Sequence, residues 1–159
     1  MKITILSVGK IKEKYWNMAL EEYGKRLSRY CKLELVEVAD EKTPDGASEV
    51  LENQIRQKEG RRLLDKIPNN SYVIALAIDG SMPDSVELSR KIERLGINGI
   101  PHIVFIIGGS LGLDSEVLKR ADERVSFSKM TFPHQMMRVI LLEQIYRSYR
   151  IMNGEPYHK

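Results

Sequence analysis

Two stretches of this chain, YVIALAI at residues 72 to 78 and HIVFII at 102 to 107, are apolar on both faces. A strand of that kind has to be covered above and below, which is the situation of a parallel sheet held between helices rather than of an antiparallel sheet with one wet face. Three further runs read as strands, Ile3 to Val8, Leu33 to Val38 and a shorter one around Arg124 to Phe127. Helical patterns separate all five. Strand and helix therefore alternate from end to end, and the expected fold class is α/β, a mostly parallel sheet with helices on both faces.

The helices show their own punctuation. Trp16, Leu20, Tyr23, Leu27 and Tyr30 recur at three- and four-residue steps and form one apolar stripe. A second helix is expected from about Ala47 to Lys66, ending at Pro68-Asn69-Asn70. A third begins near Pro83, keeps Val86, Leu88, Ile92 and Leu95 largely inward, and meets Gly96 where a C-cap would want a glycine. Asp114 suits the cap of a short fourth helix. The fifth starts at Pro133, runs from His134 to Met152 and stops at Asn153-Gly154. Residues 39 to 46, ADEKTPDG, read as a longer mobile connection.

A length of 159 residues fits one domain, residues 1 to 159, large enough to bury a core without staples or metals. No apolar run approaches the length that crosses a bilayer, and MKITILSVGK looks like a first strand rather than a signal peptide, so a cytoplasmic protein without a membrane role is expected. Cys31 is alone and reads as an inert thiol. Nothing near it has the Cys/His spacing of a zinc site, so no metal is expected. The net charge of +3 is unevenly placed: residues 115 to 159 hold eight Lys/Arg against five Asp/Glu, whereas residues 1 to 114 hold seventeen of each. This mild bias suits a polyanionic partner, and suits a solvated helix face equally.

Ligands of parallel α/β sheets collect at the carboxyl ends of the strands. Three places there stand out: LAIDG at 76 to 80, GGSLG at 108 to 112 and FSKMTF at 127 to 132. The second is neither the G-x-G-x-x-G of a dinucleotide turn nor a phosphate loop ending in G-K-S/T. Each has a plain reading beside the functional one. Asp79-Gly80 suits an ordinary turn, Gly108-Gly109 suits tight backbone packing, and Met130 and Phe132 suit a core. Together they describe a pocket of apolar walls and backbone polar groups, with no carboxylate at the offset where a Rossmann fold holds a ribose.

LAIDG, FIIGGSLGL, SFSKMTFPHQMMRVILLEQIYRSYRI, the ending NGEPYHK and the start KITILSVGKIKEKY resemble the large-subunit ribosomal RNA methyltransferase H family, over essentially the whole chain. These are small members of the SPOUT class of S-adenosylmethionine-dependent methyltransferases. The resemblance implies an α/β fold with a C-terminal trefoil knot, one of the rare exceptions to the rule against threaded connections. It implies that Leu76, Gly108 and the run Phe127, Ser128, Lys129, Met130, Thr131 and Phe132 contact S-adenosylmethionine, with Gly108 letting the backbone approach the cofactor. It also implies a homodimer that methylates N3 of a pseudouridine in a hairpin loop of 23S ribosomal RNA.

Removal of the N3 proton needs a base, for which the candidates are His134, Tyr157 and His158. His134 begins the last helix, where the helix N-terminus disfavours imidazolium; its alternative role is a hydrogen bond to the loop. Tyr157 and His158 sit in a tail that a partner surface or substrate is expected to order, or that frays as termini do. Arg138, Arg147 and Arg150 on the last helix, with Lys129 and Lys159, are candidate phosphate contacts; alternatively they solvate the face opposite Met137, Ile140, Leu141, Ile145 and Tyr149. With so small a basic surplus, the expected substrate is a shaped target such as the assembled ribosome, with naked loop RNA a poor one. Two rivals are a flavodoxin-like nucleotide module, which would need a phosphate loop where only Gly9 stands, and a non-enzymatic RNA-binding protein.

Overall fold

The computed structural model describes residues 1–159. Five strands, β1 (Lys2–Val8), β2 (Lys32–Val38), β3 (Tyr72–Ser81), β4 (His102–Ile107) and β5 (Glu123–Val125), alternate with five helices, α1 (Lys14–Leu27), α2 (Glu49–Asp65), α3 (Ser85–Ile97), α4 (Ser115–Arg120) and α5 (His134–Met152). The strands form one sheet in the order β2-β1-β4-β3-β5, and every pairing is parallel.

Alternate side chains of the central strands feed two cores. Ile3, Ile5, Ile103, Phe105 and Ile107 meet Leu20 and Leu27 of α1, Leu88 and Ile92 of α3, and Leu141, Leu142 and Ile145 of α5. Leu6, Val8, Val104 and Ile106 meet Leu63 of α2 and Val117 of α4 on the opposite face. Each buried Leu, Ile or Phe contributes about 1.5–3 kcal/mol, so neither face could be left wet, as the two-faced apolar runs require.

The helix boundaries have local causes. Ser48 accepts from Leu51 N at α2, and Asp84 forms a reciprocal capping box with Glu87 at α3. Helix α3 runs through Gly96 to Ile97, and Gly99 takes the left-handed φ of +83° beyond it. The expected stop at Gly96 is therefore corrected by three residues: a glycine inside the last turn needs no special conformation, whereas Gly99 has one. Pro133 is the N-cap of α5 rather than its first residue. The connection at 39 to 46 is tied down at Glu41, which pairs with Lys58 and Arg62 of α2.

Strand β3 differs most from expectation. It continues past Ile78 to Ser81, with a break in its register against β5 between Leu76 and Ser81. Asp79-Gly80 is thus part of an irregular strand end and not a simple turn. A Cβ at Gly80 would lie 2.6 Å from the backbone nitrogen of Val125 and 2.7 Å from the Arg124 carbonyl carbon, so only glycine lets β3 and β5 approach this closely.

Candidate active site

A cavity of about 510 Å³ opens at the carboxyl ends of β3, β4 and β5. Its walls, Leu76 to Asp79, Ile107 to Leu113, Val125 to Ser128 and Met130 to Phe132, overlap the stretches 76–80, 108–112 and 127–132 singled out in the sequence, and His134 and Met137 of α5 close them. The volume suits a cofactor-sized ligand. Of the residues implicated by resemblance, Leu76, Gly108, Phe127, Ser128, Met130, Thr131 and Phe132 line it. Lys129 is exposed and does not. The sequence stretches omit Ile107, Leu113, Val125 and Ser126 at their edges, and Leu118 and Met137; Met137, one helical turn beyond His134, is within reach of a periodicity argument, whereas Leu118 comes from another layer.

The polar character of the cavity is mostly that of backbone and hydroxyl. The N–H groups of Phe127, Ser128, Lys129, Thr131 and Phe132 donate to no protein acceptor; in this loop only Met130 N is used, donating to Ser128 Oγ at 3.0 Å. Ser126 Oγ donates to the Ser128 carbonyl at 3.0 Å and holds the loop's entry. The single carboxylate in the lining, Asp79, is paired with Arg124 at 3.0 Å. Gly109 and Gly112 close the glycine turn through a 3.1 Å hydrogen bond. A Cβ at Gly108 would meet the Gly112 carbonyl carbon at 2.9 Å and Leu113 Cδ2 at 3.0 Å. The physical reason for glycine at 108 is therefore closure of the turn on itself.

His134 faces Gly9 from the cavity rim; a Cβ on Gly9 would lie 3.7 Å from its Nε2. Burial and the adjacent Arg138 cation hold its pKa below the ordinary imidazole value, so the ring is neutral at physiological pH. Gly9 itself is hemmed in by His134, Arg138 and Asp40, and lines no part of this cavity. That leaves no open phosphate loop after β1, contrary to what a flavodoxin-like module needs.

The basic residues of α5 are placed differently from expectation. Arg138 is 4% exposed and donates to Glu37 Oε2 at 2.5 Å, to the Gly9 carbonyl at 2.8 Å and to the Val8 carbonyl at 3.0 Å. It braces the ends of β1 and β2 and cannot reach a phosphate, which corrects its candidacy as an RNA contact. Arg147 pairs with Glu143 at 2.7 Å, and Arg150 with Glu155. Lys159 is exposed at the terminus.

The tail packs on its own helix. Tyr157 donates to Glu143 Oε1 at 3.0 Å, stacks edge-on against Tyr146 with centroids 5.0 Å apart, and lies under Arg147 at 4.6 Å. Arg147 Nη1 lies 3.2 Å from His158 Nδ1. Neither Tyr157 nor His158 lines the cavity that His134 borders.

A family model described as "Predicted SPOUT methyltransferase" matches residues 1–158. The chain belongs to the SPOUT methyltransferase family. A Bifidobacterium adolescentis protein named Ribosomal RNA large subunit methyltransferase H is 64% identical over the full length of both chains. One of the same name from Clostridium tetani is 62% identical, again over the full length of both. The resemblance read from the motifs is thereby borne out. Among solved structures, a probable methylase family protein from Haemophilus influenzae matches 99% of this chain and 70% of its own, with a TM-score of 0.56 at 12% identity, a likeness of fold alone. In this SPOUT chain no helix is long and apolar enough to cross a membrane.

Proposed function

We propose that this SPOUT chain methylates ribosomal RNA of the large subunit, with S-adenosylmethionine as donor and N3 of a pseudouridine in a 23S hairpin loop as acceptor. It would act in the cytoplasm on the assembled ribosome, as a homodimer. The full-length relatives support the RNA substrate. The observation that carries the donor assignment is the 127–132 loop, in which four residues with unused N–H groups, Phe127, Ser128, Thr131 and Phe132, line a largely apolar cavity. A site of this kind binds a ligand that is itself rich in acceptors.

The residues present fit such a donor. Leu76, Leu111, Leu113 and Met137 give apolar walls for a purine, the loop amides give donors, and Phe127 and Phe132 add aromatic surface of the kind that attracts a cation. When bound, the donor supplies an electrophilic methyl carbon. What the protein adds is positioning, worth roughly 7–11 kcal/mol for well-oriented reactants, and a base for the N3 proton, worth about 10²- to 10⁴-fold in rate. His134, at the rim with its pKa lowered by burial, would accept that proton. Tyr157 and His158 do not reach their own cavity, so their contribution is assigned to the site of the partner protomer. The trefoil threading of the C-terminal segment implied by the resemblance belongs to the same reading.

Mass spectrometry of 23S RNA from cells lacking the protein tests this directly. The reading expects loss of one methyl group at a pseudouridine, restored by the intact gene; an unchanged RNA would reject it. Truncation of residues 156 to 159 tests the tail, and full methylation of ribosomes by that variant would remove Tyr157 and His158 from the mechanism.

A further inference from the structure

With Arg138, Arg147 and Arg150 committed within the chain, only Lys129 and Lys159 of the expected phosphate contacts remain exposed and unpaired, and the fold offers a further pair of free cations. Of the chain's arginines, only Arg61, Arg90 and Arg94 make no ion pair, side-chain hydrogen bond or cation–π contact. Two of the three, Arg90 and Arg94, stand one turn apart on α3 and line a single cleft of about 440 Å³ beside Ser81, Met82 and Pro83. The other charges of that cleft are spent: Glu87 accepts from Asp84 N in the capping box, and Lys91 is paired with Glu123.

We infer that this α3 cleft is the phosphate-gripping surface for the RNA substrate, with Arg90 and Arg94 each contacting a backbone phosphate. The inference rests on the methyltransferase reading above and adds the surface that reading lacks. Residues i and i+4 project from the same face of a helix, and free guanidinium forks match phosphate oxygens in pairs.

The cleft also leads to the right place. A recess of about 330 Å³ shares Pro83 with the cleft and shares Phe127 and Phe132 with the donor cavity. A strand held at Arg90 and Arg94 would therefore run past two aromatic rings before its target base met the donor. Aromatic faces at such a point stack unpaired bases without regard to sequence. Met82 (54% exposed) in the cleft and Ile78 (64%) and Met130 (74%) at the cavity mouth extend the same apolar track into solvent.

The test compares the unsubstituted protein with R90Q/R94Q, R90K/R94K and R61Q, using ribosomes from cells lacking the protein. All four should bind S-adenosylhomocysteine alike and melt alike, because these side chains are exposed and touch no core. For R90Q/R94Q the expected result is a tenfold or greater fall in kcat/KM for ribosomes. Its slope of log affinity against log salt should also be shallower by about 1.4–1.8, from two contacts at about 0.7–0.9 each. R90K/R94K should recover most of that slope and R61Q should lose none of it. Equal rates and slopes for R90Q/R94Q and the unsubstituted protein would overturn the cleft assignment and leave the methyltransferase reading standing. No transfer to ribosomes by the unsubstituted protein would overturn that reading, and the cleft assignment with it.

Discussion

Gly80 on β3 and Val125 on β5 are in backbone contact, with room for a hydrogen and no room for a methyl group. Since β5 leads straight into the 127–132 loop, this contact sets where the loop starts. Gly80→Ala should cost about 2 kcal/mol of stability, a fall in Tm of roughly 4–8 °C, and should weaken S-adenosylhomocysteine binding at least tenfold. Thermal melts and calorimetry on one preparation check both effects. Gly24→Ala is the contrast: nothing lies within 4 Å of its added methyl on α1, so stability should rise by up to about 1 kcal/mol.

Arg138 should be structural. Arg138→Ala leaves Glu37 unpaired and the Val8 and Gly9 carbonyls without their donor, at an expected cost of about 3 kcal/mol in chemical denaturation. Arg138→Lys should recover little, because an ammonium cannot reach three oxygens as the guanidinium fork does. A variant as stable as the original would contradict the brace.

His134 makes two predictions of opposite kind. As the proposed base, its replacement by alanine should lower the rate of methyl transfer about 10²- to 10⁴-fold, far more than it weakens S-adenosylhomocysteine binding at the rim it lines, and the acid limb of the native pH–rate profile should fall below about 6.5. For stability, both His134 and His102 have folded-state pKa values depressed by burial. The unfolded chain then binds protons more readily, so the stability they confer is present above about 6.5 and is lost as pH falls through the lower folded values. Replacing both by asparagine should flatten the stability profile between pH 7 and 5. Denaturant midpoints across that range decide it.

Glu59 on α2 is 5% exposed behind the glycine turn and accepts a hydrogen bond from Glu41 N at 3.0 Å. Burial raises its pKa, with Asp40 adding repulsion. The folded state therefore holds this proton to higher pH than the unfolded chain does, and its contribution to stability falls as pH rises from about 4.3 through the folded value. Glu59→Gln keeps the acceptor without the charge. It should melt higher than the original at pH 7 and equally at pH 4.

Much of this was legible in the residues themselves. Two-faced apolar strands require a covered parallel sheet, and the carboxyl-end rule alone points to the region of the cavity. What stayed hidden depends on distance along the chain. Helical spacing places Arg138 on a face of α5 but cannot say that Glu37, 101 residues earlier, waits there. Asp79-Gly80 carries the signature of a turn, and only the neighbouring β5 backbone turns it into a close strand contact. The tail offers no periodicity at all, and its order comes from Glu143 and Arg147 one side chain at a time.

The central claim is that the three loops at the ends of β3, β4 and β5 hold the methyl donor. Crystals grown with S-adenosylhomocysteine test it most directly. The account predicts ligand density between Leu76, Gly108 and Thr131, with its polar atoms within hydrogen-bond distance of the 127–132 amides. An empty cavity at saturating ligand, or density at any other surface of the chain, would contradict it.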